Sequence, residues 1–150
     1  MNREKLYSYI VKPAIVPVAA SADITGVTID RKGYDSVDFH VLYGIEGGTI
    51  DADNYWAAHL EESDDDSTWT DVAITDLIPV GDAKEFAIAN AIAETPNSQS
   101  FCRAYNGTKR YVRIMLDELG SGSSITAHPL CAFAVMFALR QPVAVTPVLT

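Results

Sequence analysis

The sequence has few cysteines and no long apolar run, and each shortage excludes a class of protein. Two cysteines, Cys102 and Cys131, cannot build a disulfide framework. Both lie in apolar stretches, which are typical of free buried thiols and of a reducing, cytosolic origin. No apolar run reaches the roughly 20 residues that cross a bilayer, and the first residues lack the apolar core of a signal peptide. We therefore expect no membrane partner.

Basic residues are also scarce. Eleven lysines and arginines face twenty acidic residues, so the formal net charge is -9. Such a surface repels phosphate backbones, and nucleic-acid binding is not expected. The 150 residues, 48% of them hydrophobic, are enough for one domain with a substantial core and exclude a disordered chain.

Signatures of catalysis and of cofactor binding are missing. The sequence has no Gly-x-Ser-x-Gly, and its glycine–serine segment 120–124 lacks the lysine of a phosphate-binding loop. His40, His59 and His128 are too far apart in sequence for the closely spaced ligands that zinc sites favour. We predict that the protein is not an enzyme and has no catalytic residues, metal site or cofactor.

The acidic segments deserve a comparison with calcium loops. Asp51, Asp53 and Glu62 match the first, third and twelfth ligand positions, but Trp56 stands where such a loop needs glycine. The acidic run 61–66 could still hold a hard cation loosely, although a solvated turn is the favoured interpretation.

Alternating apolar residues predict strands along most of the chain. The clearest strand is Ser36–Tyr43, and segments beginning at Trp56 and Thr68 flank the acidic turn as a hairpin. Asn106-Gly107 predicts a tight type I′ hairpin between two further strands. Residues 82–94 are rich in alanine but follow a period of two, which favours an extended conformation. The last predicted strand, 125–139, is apolar on both faces beyond Pro129.

These elements predict an all-β protein, an antiparallel β-sandwich of jelly-roll type with extended N- and C-terminal arms. The predicted sandwich covers residues 21–140, the N-terminal arm 1–20 and the C-terminal arm 141–150. Both arms are apolar and punctuated by proline, which disfavours helix.

Apolar arms need a surface on which to be buried. That surface is either the same molecule or a neighbouring subunit, and we favour arms that cross between subunits. The predicted assembly contacts are Ile15, Val16, Val18, Val143, Val145 and Val148.

Three segments in order resemble a group of small virion proteins of tailed bacteriophages. They are Tyr34–Phe39, the acidic hairpin Glu61–Val72, and Tyr105–Arg113, and the likeness covers about residues 34–140. The acidic hairpin is also similar to that of discoidin and carbohydrate-binding jelly-roll domains, which usually place glycine where Asp66 stands. The resemblance implies a β-sandwich that decorates or cements a capsid, or forms part of a head spike.

The leading hypothesis is therefore a decoration or cement protein of the phage head, made in the host cytoplasm. Its expected partners are the major capsid protein and further copies of itself. The alternative is a carbohydrate-binding module in which Trp56, Trp69, Tyr105 and Tyr111 hold a glycan. A glycan-directed enzyme ranks lower because no catalytic carboxylate pair is identifiable.

Overall fold

The computed structural model describes residues 9–44, 54–79, 84–89, 99–120 and 128–138. Within these ranges no helix is long and apolar enough to cross a membrane. The strands are β1 Tyr9–Ala20, β2 Ile24–Thr25, β3 Ile29–Asp30, β4 Tyr34–Tyr43, β5 Asn54–Ser63, β6 Thr70–Asp71, β7 Leu77–Ile78, β8 Phe86–Ala89, β9 Gln99–Tyr105, β10 Tyr111–Gly120 and β11 His128–Ala138, with a 3-10 turn at Ile74–Asp76.

The strands form two antiparallel sheets. Sheet I has the order β1-β11-β4-β9-β7, and sheet II has the order β2-β10-β5-β6, with β3 beside β10 and β8 beside β5. The pairing is nested along the chain, because β1 pairs with β11, β2 and β3 with β10, β4 with β9, and β5 with β8. Such nesting is the wrapping of a jelly roll. It confirms the predicted fold class.

The core lies between the sheets and follows the alternation in the sequence. On β4, Val37, Phe39 and Val41 are fully buried, and on β10 Ile114 and Leu116 meet them from sheet II. Burying a side chain of this size contributes about 1.5–3 kcal/mol. The alternation of apolar residues in these strands therefore identifies the side of each sheet that faces the core.

The hairpin predicted at Asn106-Gly107 is wrong. The strand before it, β9, pairs with β4 and β7 in sheet I, whereas β10 belongs to sheet II. The two residues cross between the sheets, and neither takes the positive φ of a type I′ turn. Gly107 lies so close to Tyr105 that a Cβ would stand 2.4 Å from the tyrosine oxygen. Tertiary packing therefore overrides the local turn preference.

The acidic hairpin is confirmed. Glu61 pairs with Asp71 and Glu62 with Thr70, although β6 is shorter than predicted. Asp66 takes φ 60°, a left-handed conformation that favours glycine. The turn therefore holds an aspartate in a conformation that glycine adopts more readily.

The N-terminal arm needs correction, because residues 9–20 of the predicted arm form β1, a strand of sheet I. Their proline-punctuated, apolar sequence is extended as expected, but it belongs to the sandwich. Residues 1–8 and the predicted C-terminal arm, 141–150, lie outside the described residues. Of the ambiguous segment 82–94, the stretch Phe86–Ala89 is a strand, and 82–83 and 90–94 lie outside the described residues.

Candidate functional site

The outward sides of the two sheets differ in chemistry. Sheet II presents paired charges, since Arg113 contacts Glu61 at 2.6 Å and His59 Nδ1 lies 2.7 Å from Asp117. Burial raises the pKa of Asp117 even though His59 lies beside it. The charged side chains on this side of sheet II are therefore neutralised by one another.

The outward side of sheet I is apolar along β1 and β11, whereas β4 places Asp38 and His40 on the same side. Along β11 the side chains of Ala132, Ala134 and Met136 are buried, so the alternate residues point away from the core. The register with β1, β4, β9 and β7 extends this side across the sheet. The apolar members of this outer face of sheet I are Tyr9, Val11, Leu42, Ile78, Ala104, Cys131, Phe133, Val135 and Phe137.

Several of these side chains are open to solvent. Tyr9 is 50% exposed, Val11 52% and Ile78 48%, and the ring of Tyr9 tilts against that of Phe137 at 6.4 Å. Isolated exposed apolar residues, such as Ile78 at the opposite edge of the sheet, are ordinary, but the adjacent group on β1 and β11 marks an interaction surface. The outer face of sheet I is therefore the candidate functional site.

Strand β1 borders this face and lies at the edge of sheet I. Edge strands expose unpaired backbone groups that can bind another chain. Here Pro13 and Pro17 lack an N–H, the register with β11 shifts around Ile15, and the carbonyl of Ala14 already accepts the N–H of Val27 at 2.8 Å. These features disfavour a continuous added strand, so contacts at β1 are expected to come mainly from side chains.

An apolar cleft of about 420 Å³ opens where β1, β4 and β11 meet. Its lining includes Pro17, Val18, Leu42 and Pro129. Beneath it, the ring of Tyr43 is fully buried, and burial raises the pKa of its hydroxyl well above the usual range. The cleft extends the apolar surface from the outer face to the edge strand.

The predicted assembly contacts differ in where the structure places them. Ile15 is buried in the protein's own core, whereas Val16 is 62% and Val18 40% exposed. Val143, Val145 and Val148 lie outside the described residues. Sequence reasoning missed Tyr9, Val11, Ile78 and Phe137; the available signal was a last strand that is apolar on both faces.

The three histidines do not come together in one site, and the four aromatic residues do not form an open platform for a glycan. His40 lies on the outer face of sheet I, His59 on sheet II, and His128 is fully buried. Trp56 and Tyr105 are fully buried and cannot stack on a glycan. An arginine lies over the ring of each of the other two aromatic residues. Arg113 is 4.2 Å from the ring centre of Trp69, and Arg110 is 4.7 Å from that of Tyr111.

The acidic turn is held by donors from the protein itself. Asp65 accepts the backbone N–H groups of Thr68 at 2.7 Å and Ser67 at 2.9 Å, which lowers the pKa of its carboxyl well below the usual range. Asp64 pairs with Lys109, and Glu62 accepts the hydroxyl of Tyr105 at 2.5 Å. These contacts explain the acidic side chains as parts of a structural turn.

Comparison with known proteins supports the fold. No protein-family model matches the chain, and no curated protein matches it. Among solved structures, the chain is similar to PBSX exported protein XepA, with a TM-score of 0.52 and 16% sequence identity. The match covers 94% of this chain and 41% of XepA, so the chain spans less than half the length of that protein.

Proposed function

We propose that this chain is a structural protein of a bacteriophage particle, and that it acts as a decoration or cement protein on the head. The observation that carries the proposal is the contrast between the two sheets. One outward side carries charged groups that pair with one another, and the other exposes an adjacent group of apolar side chains on β11 and the edge strand β1.

The contrast favours a protein that attaches through one side. Buried apolar area stabilises a contact at about 25 cal/mol per Å², whereas the charged side keeps the attached protein hydrated. The negative charge of -9 adds repulsion from nucleic acid, which suits a position outside the shell. The fold is similar to that of PBSX exported protein XepA, and the resemblance of the three sequence segments to virion proteins of tailed bacteriophages supports a role in a phage particle.

The proposed partners are the major capsid protein and further copies of this chain. The outer face of sheet I contacts the shell, and the exposed side chains of β1, Val16 and Val18, extend the contact. The protein stabilises the head by burying this surface between shell subunits. In this role the protein acts by binding to the shell and needs no chemical reaction.

The test is binding of the purified chain to heads that lack it, with two matched variants. Val11→Lys places a cation on the outer face of sheet I, and Met115→Lys places one on the outward side of sheet II, where Met115 pairs with His59. Burying an unpaired charge is costly. We expect Val11→Lys to reduce head binding at least tenfold, and Met115→Lys to leave it within about twofold. Cosedimentation followed by copy-number measurement gives the result.

Two results would overturn the proposal. One is absence of the chain from purified particles together with absence of binding to heads in vitro. The other is equal loss of binding in both variants, because the outer face of sheet I would then have no special role. Circular dichroism of each variant establishes that the sandwich is intact.

A further inference from the structure

Three different ligand types meet near the centre of the outer face of sheet I. Asp38 and His40 are two residues apart on β4 and share a side, and Cys102 on β9 is the direct cross-strand partner of His40. The carboxylate, imidazole and thiol donor atoms all lie within 4.8 Å of one another. A rigid pair of strands therefore fixes three possible metal ligands in one place.

The spacing of these atoms suits one shared ion. Cys102 Sγ lies 3.7 Å from His40 Nε2. Zinc binds sulfur at about 2.3 Å and imidazole nitrogen at about 2.0 Å, so two such ligands of a tetrahedral ion stand about 3.5 Å apart. The thiol and imidazole thus already have the separation that a shared ion requires.

The surroundings orient the ligands and leave the acid without a cation. The His40 ring stacks on Phe133 with centroids 4.8 Å apart and planes 9° from parallel. In the described part of the chain, no lysine or arginine forms an ion pair with Asp38. A bound cation would supply the positive charge that this carboxylate lacks.

A second cluster of possible ligands lies on sheet II, but its acids already pair with lysine or arginine. His59, Glu61 and Asp71 are equally close together, but Arg113 contacts Glu61 at 2.6 Å and Lys84 lies 3.2 Å from Asp71. Protein cations already compensate those acids. The comparison singles out the cluster on sheet I.

We propose that Asp38, His40 and Cys102 form a binding site for a divalent transition-metal ion of the zinc type. A mixed sulfur, nitrogen and oxygen donor set suits zinc better than the oxygen-binding calcium or magnesium ions. Three protein ligands leave a fourth tetrahedral position for water. The site is a property of the isolated chain and does not depend on attachment to a phage head.

The test uses Co²⁺ as a spectroscopic probe for zinc, added to the full chain with its thiols reduced. We expect one ion per chain, a near-ultraviolet band from thiolate coordination and visible bands of a tetrahedral site. Cys102→Ser should abolish the thiolate band. Cys131→Ser, the matched control on the same face, should retain it. Asp38→Asn and His40→Gln should each weaken binding at least tenfold, and added Zn²⁺ should displace the cobalt.

The proposal is wrong if the reduced wild-type chain binds no cobalt, or if Cys102→Ser keeps the thiolate band. Equal loss in the two cysteine variants also contradicts it. Should Cys102→Ser fail to fold by circular dichroism, the other variants decide: unchanged affinity in both Asp38→Asn and His40→Gln overturns the site. Head binding is a separate measurement, so failure here leaves the proposed attachment intact.

Discussion

Arg31 shows how one side chain holds two sheets in register. Its guanidinium donates to the carbonyls of Gly107 at 2.8 Å, Lys109 at 2.7 and 3.0 Å, and Asp35 at 2.9 Å. The guanidinium also lies 4.5 Å from the centre of the Tyr105 ring. These acceptors are backbone oxygens, so the planar fork of arginine fixes the crossing from β9 to β10.

Replacing Arg31 by lysine tests this role. Lysine keeps the charge but cannot reach all three carbonyls, and buried acceptors left without donors are costly. We expect Arg31→Lys to lower the free energy of unfolding by about 2–4 kcal/mol, measured by urea denaturation.

Arg110→Lys is the matched control. Arg110 forms an exposed ion pair with Asp30 at 2.7 Å and holds the pKa of that carboxyl at about 2. Exposed pairs contribute at most about 1 kcal/mol, so this variant should be nearly as stable as the wild type. Equal losses in the two variants would show that Arg31 is no more than a surface charge.

At the scale of the strands, each strand of sheet I has one side for the core and one for the surface. On β4, Phe39 is fully buried, and its neighbour His40 points outward to stack on Phe133 of β11. Both sides carry aromatic rings, yet only the inward ring is enclosed by both sheets. The two rings should therefore differ in their contribution to stability.

Truncating each ring separates the two sides of the sheet. Phe39→Ala should lower the free energy of unfolding by about 3–5 kcal/mol, because it leaves a cavity in a closed core. Phe133→Ala should cost less, about 1–2 kcal/mol, since this partly buried ring faces outward and loses less buried area. Chemical denaturation of both variants gives the values. A larger loss for Phe133→Ala would mean that the outer face is a second core.

The strands that could be predicted from sequence are those whose signal is local. Alternation over Ser36–Tyr43 and the acidic turn at 61–66 specified β4 and the hairpin of β5 and β6. Asn106-Gly107 misled because a turn preference of two residues was weaker than the packing of Gly107 on Tyr105 and Arg31.

The candidate surface and the proposed metal site depend on pairing between distant residues. Val16 and Val18 are proposed as assembly contacts because they are apolar and lie near prolines, and the structure shows that both are exposed. The outward position of Val11 depends on its pairing with Val135, and the ligand set on the pairing of His40 with Cys102. A local sequence pattern does not specify which residues of two distant strands pair. These pairings could therefore be identified only from the folded sheet.

At the scale of the whole molecule, an apolar face is combined with a net charge of -9. Like charges keep copies apart at low ionic strength, and salt shortens the range of that repulsion. The apolar face keeps its attraction under both conditions. Association between copies should therefore depend on salt.

We expect self-association of the free chain to strengthen between about 20 mM and about 500 mM NaCl, as the Debye length falls below 10 Å. Sedimentation velocity over a range of protein concentrations measures it. Val11→Lys should weaken association at every salt concentration, and Met115→Lys, with the same change of charge, should not. A chain that stays monomeric at all salt concentrations would contradict the proposed homo-oligomer.

The nested strand order also has a consequence for biosynthesis. β11 lies between β1 and β4, so two strands made early remain separated until a strand made late is inserted between them. A ribosome must therefore release the chain as far as Ala138 before sheet I can close. Pairings this distant along the chain form slowly. Until β11 is in place, the backbone hydrogen-bonding groups of β1 and β4 that pair with it stay exposed. We expect nascent chains that stop before His128 to depend on chaperones.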